Sequence, residues 1–141
     1  MSKLCRALAY ASLALSAACA THPQLINADP APILMVAPAR AQVVEGDIRR
    51  ALAEYNWRIL GDEPGHMVVE LKREPFNLSV KMDIRYSAEQ VVIKFLELVS
   101  LDGEPLDDIQ IKNYHRWTGT LRQSIVDQLN AGYARVAAPA N

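Results

Sequence analysis

From Leu78 to Tyr86 apolar residues hold every second position: Leu78, Val80, Met82, Ile84 and Tyr86 alternate with Ser79, Lys81, Asp83 and Arg85. Successive side chains of a strand point to opposite faces, so this segment predicts a strand with one buried face and one wet face. Met67, Val69 and Leu71 alternate with Val68, Glu70 and Lys72 in a second such run. A shorter extended segment begins at Trp57-Arg58-Ile59-Leu60. Val91 to Leu101 is apolar in both phases, which predicts a more central or doubly covered strand. Glu63-Pro64-Gly65-His66 and Asp102-Gly103-Glu104-Pro105 supply the turns.

The spacing changes on either side of these strands. Val44, Ile48, Ala51, Leu52 and Tyr55 fall on one face of a helix, with Glu45, Arg49, Arg50 and Glu54 on the other. Tyr114, Trp117, Leu121, Ile125, Leu129 and Tyr133 step by three or four residues, giving a long second helix with an apolar stripe. Asn113 is its expected N-cap and Gly132 its expected end. Short turns between strands imply antiparallel pairing. The expected fold is α+β: a two-layer sandwich in which a meander of three to four strands is covered on one face by an N-terminal and a C-terminal helix.

The first residues follow a different rule. Lys3 and Arg6 give a positive start, and the run to Leu15 is mostly Ala and Leu. That run falls short of the roughly 20 residues that span a bilayer. Small residues follow it, the pattern of a secretory signal peptide over residues 1–18. Ser16-Ala17-Ala18-Cys19, with Leu15 just ahead, resembles the lipobox of bacterial lipoproteins. The resemblance implies that Cys19 is diacylated, becomes the new N-terminus and holds the protein to a membrane. Ala20 after the cysteine then implies the outer membrane, facing the periplasm. Ala18-Cys19-Ala20 also satisfies the Ala-x-Ala rule, which would release a soluble protein cut before Thr21.

Composition narrows the choices further. Cys5 lies within the signal segment, so an acylated Cys19 leaves no thiol and no disulfide in an oxidising compartment. Without Lys3 and Arg6 the formal net charge of −1 becomes −3, 13 cations against 16 acids. A mildly acidic domain without a basic stripe argues against nucleic acid. Residues 19–42 carry Pro23, Pro30, Pro32 and Pro38 and read as a Pro/Ala-rich tether reaching up to roughly 60 Å from the bilayer. Within it, Ile33-Leu34-Met35-Val36 is too apolar for a solvated linker and is expected to dock in part, as an edge strand added to the domain or packed along its surface. The domain is expected over residues 43–136 and a frayed tail over 137–141.

The chain is also similar to a group of small bacterial lipoproteins of unassigned function, on four features. These are the lipobox, a helix ending in Trp57, a meander, and a closing helix that begins Tyr114-His115-Arg116-Trp117. That resemblance covers Leu52 to Leu129 and implies a fold and a compartment, but no catalytic residues.

Candidate chemistry is sparse. His22 falls in the tether, His66 in a Pro-Gly turn and His115 near the start of the last helix beside Asp107, Asp108 and Thr118. None has the nucleophile and oriented base that covalent catalysis needs, and solvated imidazoles are expected. Asp102, Glu104, Asp107 and Asp108 form an acidic turn without EF-hand spacing, and no histidine has a partner at metal-binding spacing. The six glycines are scattered, without a phosphate loop. No metal or cofactor is expected. Trp57, Trp117, Tyr114 and Tyr133 are expected to anchor the core. Lys81, Asp83 and Arg85, presented together on the open sheet face, are the candidate docking face for a partner. The expected function is therefore not enzymatic: a lipid-anchored envelope protein that binds or scaffolds an envelope partner. The alternatives are a periplasmic binder of a small apolar ligand held between sheet and helices, and a hydrolase centred on His115.

Overall fold

The computed structural model describes residues 29–137. The signal segment, Cys19 and the residues after Ala137 lie outside this range. The elements run β1 (Ile33–Leu34), α1 (Ala41–Glu54), β2 (Arg58–Glu63), β3 (His66–Arg73), a 3₁₀ turn (Glu74–Phe76), β4 (Leu78–Tyr86), β5 (Gln90–Ser100) and α2 (Asp108–Ala137). All strands are antiparallel, in the order β1-β5-β4-β3-β2. Two helices on one face of this sheet make the α+β sandwich that the alternation predicts. No described helix is long and apolar enough to cross a membrane.

One face of the sheet builds the core. Leu78, Val80, Met82, Ile84 and Tyr86 are all buried, beside Met67, Val69 and Leu71 of β3 and Val91 and Ile93 of β5. Val44, Ile48, Ala51 and Leu52 of α1 and Leu121, Ile125 and Leu129 of α2 close over them. Each such side chain contributes roughly 1.5–3 kcal/mol through burial. α1 ends in a Schellman motif: Asn56 takes a positive φ of 59°, Trp57 N–H donates to Leu52 O and Asn56 N–H to Ala53 O. That reversal carries Trp57 into the core, while Tyr55 stays half-buried.

Three elements depart from the sequence expectation. α2 begins at Asp108, ahead of Tyr114, because Asp107 and Gln110 form a capping box. Gln110 N–H donates to Asp107 Oδ1 at 2.7 Å and Asp107 N–H to Gln110 Oε1 at 3.0 Å. Asn113 is therefore an interior residue that accepts from Arg116, not a cap. Gly132 is likewise interior and buried. β5 is not central: beyond Val91 its outer edge has no strand beside it among the described residues. A bulge at Leu96, between the pairs Met82–Phe95 and Lys81–Glu97, turns that side chain outward.

The third departure is in the stretch read as tether. Ile33 pairs with Val91 and Leu34 with Gln90, so a fifth strand joins the meander ahead of Val43. Met35 N–H donates to Glu89 O and Ala39 N–H to Ala88 O. Phe95 N–H donates to Asp29 Oδ1, Arg122 donates to Ala31 O, and Ala37 N–H donates to the Tyr133 hydroxyl. The apolar Ile33-Leu34-Met35-Val36 run thus belongs to a strap, residues 29–40, fastened across β5 and α2.

Candidate functional site

The face of the sheet away from the helices is built by the polar phase of β3 and β4. Lys81 pairs with Glu97 at 2.5 Å, Arg58 with Glu70 at 2.5 Å, and Arg85 with Asp83 at 3.2 Å. His66 joins Asp83 through Nε2 and approaches Glu63 at 4.0 Å. His66 is therefore held in a carboxylate pair and not simply solvated. Ser79 and Asp83 are buried, so this face is not uniformly wet. The reason is register: Glu70 lies opposite Lys81, and Asp83 is flanked by Val68 and Lys94. Neighbouring side chains cover the carboxylates and neutralise them.

Glu70 records the balance of forces there. Burial would raise its pKa, but hydrogen bonds from Arg58 and Ser79 and the charges of Arg58 and Lys81 outweigh it and hold the carboxyl below its ordinary value. The three side chains read from the sequence as a docking face, Lys81, Asp83 and Arg85, do lie together here. All three are paired within the sheet, Arg85 with Asp83 itself, and the Arg85 side chain, 67% exposed, is the most accessible of the group.

The acidic turn serves the fold. Asp102 accepts from Ser100, Asn77 and the Glu104 N–H, and the Ser100 hydroxyl leads the bonds that hold its pKa below the ordinary value. Asp107 caps α2. His115 is exposed, and the nearby Thr118 hydroxyl donates to the Tyr114 and His115 carbonyls. No cluster of three or more potential metal ligands occurs among the described residues. Trp57 and Tyr114 are buried as expected. Trp117 is half-buried, edge-on to Phe76 at 5.3 Å, and Tyr133 is half-buried against the strap.

What the sequence reading missed lies under the strap. Residues 35–40, the start of α1 and the last turns of α2 enclose a recess of about 430 Å³. Met35, Val43, Leu129 and Tyr133 supply apolar walls, and Asp47 supplies a polar one. Asp47 is only 1% exposed. Its Oδ1 accepts from Arg50 and from Arg135, the latter at 2.9 Å. Gly132 makes room for it, since a Cβ there would come within 2.3 Å of Asp47 Oδ2. A signal was present: Asp47 falls between Val44, Ile48 and Ala51, in the apolar phase of α1. The recess lies under the strap at the ends of α1 and α2, not between sheet and helices, where buried apolar side chains form the core.

Neither a family model nor a curated protein matches this chain.

Proposed function

We propose that the chain is a membrane-anchored envelope lipoprotein whose α+β domain is a non-catalytic binding module in the periplasm. The anchor rests on Ser16-Ala17-Ala18-Cys19 and the short apolar run before it. Binding without chemistry is supported by how the polar groups are spent. His66, Asp83, Glu70, Ser79, Asp102, Asp107 and Thr118 hold the fold together, and none converges with a hydroxyl and a base on one cleft.

The observation that carries the partner-binding reading is the outer edge of β5. Beyond Val91 its backbone has a strand neighbour among the described residues only in β4, and Leu96 and Val99 are exposed at 48% and 39%. Asp29 already takes the Phe95 N–H, so the part of this edge left to accept an extended apolar segment of an envelope protein by strand addition is the stretch past Phe95, from Leu96 to Ser100. The self-paired face around Lys81, Asp83 and Arg85 is the lesser surface, with Arg85 available for charge steering. A second reading, a binder of a small ligand, is favoured by the recess under the strap.

Cell fractionation tests the anchor. The wild-type chain is expected in the membrane fraction and the Cys19→Ala chain in the soluble fraction. Equal partition of the two would remove the lipoprotein reading.

A further inference from the structure

We infer that the recess under the strap binds a small uncharged amphiphile: an apolar body carrying one hydroxyl or amide N–H. This deepens the ligand-binding reading and rests on the domain being a binder. The volume, about 430 Å³, falls among those of small-molecule sites. The site is also braced, since Met35, Ala37 and Ala39 each donate a backbone hydrogen bond to the domain at 2.9, 2.6 and 3.0 Å. Met35 and Ala39 therefore form a fixed wall opposite Val43 and Leu129.

Asp47 sets the ligand chemistry. Both arginines bind Oδ1, and Oδ2 has no hydrogen-bond partner among the described residues. Oδ2 lines the recess as an open acceptor, to which a ligand hydroxyl or amide N–H can donate. The charge balance then selects among donors. Arg50 and Arg135 outnumber Asp47, and Arg40, also on the wall, forms no ion pair among the described residues. An ammonium head would meet this excess of positive charge. A carboxylate head would meet the lone pairs of Oδ2. An uncharged hydroxyl or amide meets neither objection.

Methionine-methyl NMR tests this on the full chain in lipid nanodiscs. Met35 lines the recess, while Met67 and Met82 are buried in the core and report non-specific loosening. The probes are 1-hexanol, hexylamine and hexanoate, which share one tail. The expected result is a saturable shift of Met35 alone, with 1-hexanol binding roughly tenfold tighter than either charged probe. Val43→Trp, which fills the recess from α1, is expected to weaken 1-hexanol by roughly tenfold or more. Ala39→Trp fills it from the strap and replaces Val43→Trp should that variant disturb the Met67 and Met82 signals. The Met35 shift is not readable as occupancy if Met67 and Met82 move with it, and that result overturns the proposal. So does an unmoved Met35, whether the recess is closed or filled by the chain itself. Equal binding of the three probes, or insensitivity to both tryptophans, overturns it as well. Each of these failures leaves the Cys19 fractionation result intact, so the anchor and the recess fall separately.

Discussion

Gly132 and Gly119 lie on the same helix and make opposite demands. A methyl group at Gly132 would collide with the Asp47 carboxylate, whereas nothing lies within 4 Å of one at Gly119. Gly132→Ala is therefore expected to destabilise by about 1–3 kcal/mol through overpacking. Gly119→Ala is expected to stabilise by about 0.5–1 kcal/mol, because glycine is the poorer helix former. Thermal melts of the two variants check this, and a Gly132→Ala chain as stable as the wild type would contradict the close approach of α1 and α2. The contrast also shows where sequence reading stops. A glycine near the end of a periodic run reads as a helix end, and only the side chain of Asp47 on another helix gives Gly132 its purpose. Asp47 carried a signal that Gly132 did not, as a charge in the apolar phase of α1.

At the scale of elements, strand periodicity was the most legible feature. All five apolar positions of β4 are buried, because the two-residue period of a strand maps directly onto its faces. The polar phase was harder to read, since register decides which charges become neighbours. Glu70 shows the consequence. Its carboxyl is held below the ordinary value, so its ionised form contributes stability above the ordinary glutamate pKa. That contribution is lost as pH falls through the depressed folded-state pKa. Ser79 donates to Glu70 at 3.1 Å, so Ser79→Ala should reduce the fall in stability between neutral and acid pH. Denaturant titrations at several pH values measure it, and an unchanged slope would contradict the role given to that bond. β1 was half legible: its apolar run signalled docking, but two residues carry no periodicity. Ile33 is buried against Val91, so Ile33→Asn should cost about 2–4 kcal/mol. It should also release amide protection at Met35 and Ala39, which hydrogen exchange reads directly. Protection retained at both would mean that the strap holds without its apolar anchor.

For the whole molecule, the strap changes the geometry of anchoring. With the domain fastened from Asp29 onward, only Ala20 to Ala28 separates it from Cys19. Nine residues span at most about 32 Å, against the roughly 60 Å expected of a free tether. An acylated Cys19 would thus hold the β5 edge and the recess near the bilayer surface. Two-layer architecture was readable because both helices and the sheet each show a single apolar face. The binding features were not, because they arise where the strap, α1 and α2 meet, far apart in sequence. The central claim, a lipid-anchored binding module, is tested most directly by the intact mass of the protein purified from membranes. The account predicts a mature chain beginning at Cys19 and carrying acyl mass that is absent from Cys19→Ala. A chain beginning at Thr21 with no lipid would contradict it.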